Sequence, residues 1–178
     1  LAELERENNI NHYGKELLNV IRVTGKQELL DMLIARKAIE SQLAKLAAMY
    51  ITNEEILEME KIIKRQEIHV KEGISIADDD VEFHKIISKA ARNRVLDAAM
   101  DLIRQHGQLS PMLEYIRKRV KSTVLLDHKS IYEAIASRNP ELAEKAMINH
   151  IENLERDVKK YWEIAYNREG NDESQKEN

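Results

Sequence analysis

Six histidines are the residues of this sequence best suited to chemistry, because it contains no cysteine and so offers no thiolate as a metal ligand or nucleophile. Three of them, His84, His128 and His150, are predicted to lie on the inward faces of helices. His128 is in phase with Ile135, and His150 with Met147. A buried imidazole without a hydrogen-bonding partner costs on the order of 1 to 3 kcal/mol, so each of the three needs a partner.

Asp80 and His84 are four residues apart, which places both side chains on one side of a helix. A metal ion shared with His128 and His150 would supply the partner that each imidazole needs. Simpler interpretations stay open from the residues alone: a surface ion pair for Asp80 and His84, and hydrogen-bonded core imidazoles for the other two. Helical spacing cannot show that three helices converge.

The elements that must position these residues are helices. Apolar residues make up 43% of the 178-residue sequence and aromatic ones 4%, with five Gly and two Pro, a profile typical of one all-helical domain. We predict an all-α antiparallel bundle of six to seven helices, at roughly 27–50, 52–73, 76–92, 93–107, 111–120, 126–137 and 140–166. Thr52 with Glu55 forms a capping box, and Asn139 before Pro140 is typical of a helix start.

Charge and hydropathy exclude several classes of function. The formal net charge of -4 argues against a free-standing nucleic-acid-binding domain, which carries an excess of Lys and Arg. No apolar run approaches the roughly 20 residues of a membrane span, and the N-terminus lacks the layout of a signal peptide, so we expect a cytoplasmic protein. No nucleophile-elbow, phosphate-loop or dinucleotide-binding motif occurs.

The ends of the sequence differ from its centre. Residues 1–25 form an arm, 26–166 the helical domain, and 167–178 a polar tail. Residues 17–24 (LLNVIRVT) are β-rich and bounded by glycines, as in a winged helix where a recognition helix is followed by a wing. An irregular arm packed on the bundle is the alternative. Because the first residue is Leu1, we expect the sequence to be part of a longer polypeptide.

Five short segments occur in an ordered series. They are Arg36-Lys37-Ala38-Ile39-Glu40, Leu46-Ala47-Ala48, Asp80-x-x-Phe83-His84 with Asn93 nine residues on, His128-x-x-Ile131-x-x-Ala134-Ile135, and Ala143-x-x-Ala146-Met147-x-x-His150. The series resembles the FadR C-terminal (FCD) domain of GntR-type transcription regulators over about residues 29–161. No single segment is specific, but their order and spacing together are.

The resemblance implies a set of metal ligands. In metal-binding members an Asp, the His four residues later and two further His bind one divalent ion inside the bundle, and their counterparts are Asp80, His84, His128 and His150. Three imidazoles and one carboxylate suit zinc first, with nickel, manganese or iron as alternatives, rather than calcium or magnesium.

The resemblance also implies an effector and partners. The effector is a small carboxylate bound at or beside the metal, with Arg36 and Asn93 in its pocket. The alternative for Arg36 is an ion pair with Glu40. The family further implies a homodimer, and DNA binding through an upstream winged helix domain that is largely absent from this sequence.

A metal-dependent helical hydrolase is the alternative function. It lacks a convincing general base, because Glu82 lies two residues from both Asp80 and His84 and should point away from them. The basic run at 117–121 is predicted to be a solvated helix face. His106 is expected at a helix C-terminus, and His12 and His69 match no pattern.

Overall fold

The computed structural model describes residues 25–107 and 110–173, and all the regular structure in these ranges is α-helical. The helices are α1 (Lys26–Tyr50), α2 (Asn53–Glu72), α3 (Ala77–Ala90), α4 (Arg94–Gly107), α5 (Pro111–Ala136) and α6 (Pro140–Glu173). The predicted all-α class is confirmed. The β-rich segment at 17–24, residues 1–16 of the arm and the side chain of His106 lie outside the described residues.

Helix ends follow the predicted local chemistry. Thr52 accepts a hydrogen bond from the backbone N–H of Glu55, and the Glu55 carboxylate accepts one from the N–H of Thr52, which completes the capping box. Helix α2 ends at Gly73, whose φ of 80° is the left-handed conformation that glycine adopts without strain. The Asn139 side chain caps α6 by accepting from the N–H of Leu142.

The number of helices and the end of the last one differ from the prediction. The two helices expected at 111–120 and 126–137 are one continuous helix, α5. Ser122, Thr123 and Val124 between them are weaker helix formers that cost only tenths of a kcal/mol each, and no Gly or Pro interrupts the segment. Packing of the amphipathic face outweighs that cost. Helix α6 continues to Glu173 instead of ending near 166.

Helix α1 lies at the centre of the bundle. It packs most extensively on α6 and also contacts α3, α4 and α5, while α5 packs on both α6 and α2. The largest fully buried apolar side chains are Leu29, Leu33, Leu43, Ile51, Met59, Phe83, Ile87, Met100, Leu113, Ile116, Ile131 and Ile135. Polar side chains from each of these six helices are buried among them. No helix in the described ranges is long and apolar enough to cross a membrane.

Candidate metal centre

The four predicted metal ligands lie together in the bundle. Asp80 and His84 are one turn apart on α3, His128 is on α5, and His150 is on α6. One potential ligand atom from each residue lies within 4.8 Å of the corresponding atoms of the others. The three imidazoles are buried and Asp80 is partly buried. The three helices therefore bring the four side chains together, which helical spacing alone could not show.

The rings surround a common point next to Asp80. The Oδ1 atom of Asp80 is 3.4 Å from Nε2 of His128 and 3.8 Å from Nε2 of His84. The ring centroids of His128 and His150 are 5.0 Å apart, and that of His84 is 5.3 Å from each of them. His128 also stacks on Phe83, which fixes the plane of its ring.

Each imidazole places its Nδ1 atom beside a side-chain oxygen from another helix. The three pairs are His84 with Glu40 Oε2 at 2.6 Å, His128 with Gln66 Oε1 at 3.0 Å, and His150 with Asp127 Oδ2 at 3.3 Å. Asp127 is itself held by two contacts from Asn153 Nδ2, at 2.9 and 3.0 Å. The acceptors of His128 and His150 favour the proton on Nδ1 and leave the Nε2 lone pair available, as is usual for histidines that bind metals. The Nδ1 atom of His84 is close to Glu40 but is not aligned with it for a hydrogen bond.

The Nε2 atoms of His84 and His128 are fully buried and have no hydrogen-bonding partner among the described residues. Leaving a buried polar atom unsatisfied costs about 1 to 3 kcal/mol. A cation bound between these atoms and the Asp80 carboxylate would satisfy both of them. The residues thus fit a divalent ion, and a donor set of imidazoles and one carboxylate suits zinc and its transition-metal neighbours.

Electrostatics put His84, His128 and Asp80 in the protonation states that metal binding needs. Burial lowers the pKa of His128 from 6.5 to about 4 and also lowers the pKa of His84, so both rings are neutral at pH 7. Burial alone would raise the pKa of Asp80. The neighbouring His128, His84 and Arg117 outweigh burial and hold the pKa of Asp80 well below 3.8. A neutral imidazole and an ionised carboxylate bind a cation without first losing a proton.

Arg36 is part of a buried chain of contacts that ends at the cluster. Its Nε donates to Glu40 Oε1 at 2.6 Å, and the other oxygen of Glu40 lies beside Nδ1 of His84. Burial opposes the charge of Arg36, but Glu40 and Asp80 raise its pKa. The ion-pair alternative for Arg36 is therefore present in the structure.

Arg36 also lines a narrow cavity next to the cluster. The lining residues are Arg36, Asp80, Val81, His84, Ile103, Arg104 and Arg117. Arg36 therefore faces the cavity and is paired with Glu40 at the same time. The cavity measures only about 10 Å³, room for about one water, so a contact of Arg36 with a bound acid requires neighbouring side chains to move.

Asn93 is placed differently. Its side-chain oxygen accepts hydrogen bonds from the N–H groups of Val95 and Leu96, at 3.2 and 3.1 Å, and so caps α4. Asn93 is not among the residues that line the cavity. Its predicted contact with the effector stays a prediction, and the geometry gives it a capping role.

The expectation that residues 117–121 form a solvated face is wrong for Arg117. Lys118 and Arg119 are exposed, but only 15% of the Arg117 side chain is, and its Nη2 atom lies 3.7 Å from Oδ2 of Asp80. Arg117 follows the buried Ile116 and precedes the buried Val120 by three residues, so it lies at the edge of the inward face. Charge alone did not reveal this.

Some contacts of the polar groups around the cluster were not predicted. Glu40 was expected as an alternative partner of Arg36, but its contact with His84 was not. Gln66 interrupts the buried face that includes Met59 and Ile62, which is a usable signal. No local signal connects Asp127 on α5 with His150 on α6.

Glu82 points away from the cluster, as predicted. Its side chain is 57% exposed and forms an ion pair with Arg65. It therefore cannot act as a general base at the cluster. Glu40 and Asp127, the carboxylates beside His84 and His150, contact Nδ1 atoms and orient the rings. This arrangement does not favour the hydrolase alternative.

Comparison with known proteins identifies the family. The family model described as the FCD domain matches residues 31–153. The Uxu operon transcriptional regulator of Escherichia coli is 30% identical over 146 residues, which covers 76% of this chain and 54% of that protein. The Uxu operon regulator of Haemophilus influenzae is 28% identical over 129 residues, or 70% of this chain and 48% of that protein.

Solved structures agree with this comparison. A GntR protein of Streptococcus agalactiae is similar with a TM-score of 0.65 and 29% identity, covering 75% of this chain and 61% of that one. E. coli McbR/YncC has a TM-score of 0.68 at 14% identity, covering 78% and 71% of the two chains, and shows the shared fold alone.

The matched relatives indicate the general role of this chain. The chain spans about half the length of the curated relatives it matches. Those relatives are transcription regulators, which indicates a regulatory rather than an enzymatic role. Because the matched residues 31–153 are more than half of the chain, the protein belongs to the FCD domain family of GntR-type transcription regulators and carries their effector-binding domain.

Proposed function

We propose that this chain is the sensing domain of a transcription regulator that holds a divalent transition metal on Asp80, His84, His128 and His150 and binds a small carboxylate beside it. One observation carries the proposal. The Nδ1 atom of each histidine contacts an oxygen acceptor, while the Nε2 atoms of His84 and His128 are buried near Asp80 without a hydrogen-bonding partner. Zinc is the first candidate, and nickel, manganese and iron are the alternatives.

The side of the cluster that faces α1 and α4 supports acid binding. The cavity there brings Arg36 and Arg117 next to Asp80 and His84. In its contact with Glu40, Arg36 uses Nε, which leaves its terminal nitrogens for a second acceptor. A bound divalent ion would offer coordination positions to one end of a carboxylate, and the guanidinium of Arg36 would hold it from the protein side.

Regulation follows if the acid favours one packing of the bundle over another. Helix α1 contacts α3, α4, α5 and α6, so a ligand held between Arg36 and the cluster bears on the packing of α1. We propose that an upstream winged helix domain reads DNA and that a homodimer matches a two-fold operator. The net charge of -4 supports DNA contacts outside this domain.

Metal analysis combined with an acid screen tests the sensing role. Protein purified without affinity-tag nickel is analysed for metal, and small carboxylic acids are screened by thermal shift on metal-loaded and chelator-treated samples. We expect acids to stabilise only the loaded protein, and His150→Ala to remove that effect. Equal stabilisation of the chelator-treated wild type would contradict binding beside the metal.

A gel-shift comparison tests the location of DNA recognition. This chain alone is expected to bind DNA weakly and without sequence preference, whereas a longer protein with an upstream winged helix domain should bind an inverted repeat. Tight, sequence-specific binding by the chain alone would contradict the proposed division of roles.

A further inference from the structure

The four candidate ligands differ in their access to solvent. The side chains of His84, His128 and His150 are 2%, 0% and 4% exposed, whereas 14% of the Asp80 side chain is exposed. Because Asp80 is the member of the cluster that solvent contacts most, an ion that comes from solvent would meet this carboxylate first.

Arg117 of α5 covers Asp80 on the side away from the imidazoles. The two oxygens of Asp80 have different neighbours: Oδ1 lies 3.4 Å from Nε2 of His128, and Oδ2 lies 3.7 Å from Nη2 of Arg117. A guanidinium carries a fixed positive charge. Arg117 thus already places a cation beside the carboxylate that a metal ion would use.

Arg117 also separates a space at the cluster from a space at the surface. The inner space is the cavity of about 10 Å³ beside Asp80 and His84, which has room for about one water. The outer space is a pocket of about 200 Å³ lined, besides Arg117, by Gly73, Ile74, Ser75, Ile76, Lys118 and Lys121. Arg117 is the residue that the two linings share. With Arg117 in this position, the way from the surface pocket to the cluster is closed.

The three cationic side chains of the surface pocket are held differently. Lys118 pairs with Glu114 on its own helix, and Lys121 donates to a backbone carbonyl in the segment before α3. Arg117 is the one of the three that faces a predicted metal ligand, Asp80. Its separation of 3.7 Å is longer than a hydrogen bond, and the surface pocket offers room on its other side. The side chain can therefore turn outward without disturbing the core.

We propose that Arg117 is a gate for the metal ion, which closes the cluster while it pairs with Asp80 and opens it by turning into the surface pocket. The inference rests on the proposed metal site and adds to it a route and a rate of exchange. The incoming ion and the guanidinium are both positive and compete for one carboxylate. Because an ion that enters and an ion that leaves pass the same barrier, the gate slows loading and release alike.

Zinc exchange kinetics test the gate. Metal-free protein takes zinc from a weak coloured chelator, and zinc-loaded protein gives it to an excess of a strong one, so absorbance in a stopped-flow instrument follows loading and release. We expect both rates to be at least about fivefold higher in Arg117→Ala, the change that corresponds to the loss of one partly buried ion pair. Arg117→Met, which keeps most of the side-chain length without the charge, should behave in the same way and serves as the second variant.

Lys118→Ala is the matched control. It removes one positive charge from the same surface pocket, but Lys118 is paired with Glu114 and not with Asp80. Its two rates should stay close to those of the wild type. An equal acceleration in this control would assign the effect to the general charge of the pocket and refute the gate.

The remaining outcomes separate the gate from other roles of Arg117. Faster release with unchanged loading would mean that Arg117 only holds Asp80 in place, and faster loading with slower release would mean that it only repels the ion. Either result overturns the gate, as do rates equal to the wild type in both Arg117 variants, and in each case the metal site itself stands. A wild type that takes up no zinc would contradict the proposed metal site, and the gate with it.

Discussion

Asp79 and Asp80 are neighbours on α3, yet they belong to two different histidine clusters. Asp79 is buried against α2, where one of its oxygens accepts from Arg65 and the other lies 2.6 Å from Nδ1 of His69. Asp80 faces the interior, where Nε2 of His128 is 3.4 Å away. We call the first the outer cluster and the second the inner cluster.

The difference between the clusters lies in what remains unsatisfied. In the outer cluster both carboxylate oxygens have protein partners, and the His69 side chain is 27% exposed and can reach water. In the inner cluster the side chains of His84 and His128 are 2% and 0% exposed, and their Nε2 atoms have no hydrogen-bonding partner among the described residues. Among the described residues, a bound ion would satisfy the inner cluster, whereas the outer cluster already has protein partners.

The largest expected effect is on stabilisation by zinc. At a free zinc concentration about 1,000-fold above Kd, binding adds about 4 kcal/mol to folding, or roughly 8 to 16 °C in Tm for a domain of this size. We expect this shift in the wild type and in Asp79→Asn, and its loss in Asp80→Asn. Thermal unfolding with and without zinc measures it. An equal zinc-induced shift in Asp79→Asn and Asp80→Asn would contradict the assignment of zinc binding to the inner cluster.

A smaller effect is expected from the residues that orient the imidazoles. Glu40→Gln and Asp127→Asn should each lower zinc affinity by about 10- to 100-fold, because outer contacts fix the tautomer and direction of His84 and His150. Competition with a chelator of known affinity measures this. Glu82→Gln is the matched control, since Glu82 pairs with Arg65 on the outside. An equal loss in the control would indicate a general electrostatic effect instead.

The Arg36→Lys variant tests whether Arg36 contacts the acid that binds beside the inner cluster. Lysine keeps the charge but loses the planar fork, so acid binding should weaken by roughly 1 to 3 kcal/mol. Titration of the metal-loaded variant with the best acid from the screen measures the change. Because Arg36 also pairs with Glu40, a change in the Tm of the variant could come from that ion pair. The affinity of the variant for the acid is therefore the more informative measurement. Unchanged affinity would remove Arg36 from the pocket.

A further effect is expected on the pH dependence of the metal-free protein. Burial depresses the pKa values of His84 and His128, so the unfolded chain takes up these protons first as pH falls. Stability should therefore be complete above pH 6.5 and be lost as pH falls toward about 4, by about 1.4 kcal/mol per pH unit for each extra proton bound. Urea unfolding across this range measures the slope, and His128→Gln should reduce it. A slope unchanged in that variant would contradict the assignment to His128.

Local chemistry made much of the fold predictable. The capping box at Thr52 and the start of α6 after Asn139 depend on neighbouring residues, and both are present. The continuity of α5 was not predicted, because packing overrides small differences in helix propensity that a local pattern can show.

The candidate site was predictable from the sequence only in part. The spacing of Asp80 and His84 within one helix indicated a shared face, and periodicity placed His128 and His150 inward. Their convergence depends on how α3, α5 and α6 pack, so it came from resemblance to a family rather than from spacing. The contacts of Arg117 and Asp127 are tertiary, and no pattern along the chain encodes them.

Metal content tests the central claim most directly. Protein purified without affinity-tag nickel is analysed for bound divalent metal in the wild type, His128→Ala, His150→Ala and His69→Ala. The inner cluster predicts one ion per chain in the wild type and in His69→Ala, and loss of the ion in the other two variants. Equal metal content in all three variants would contradict it.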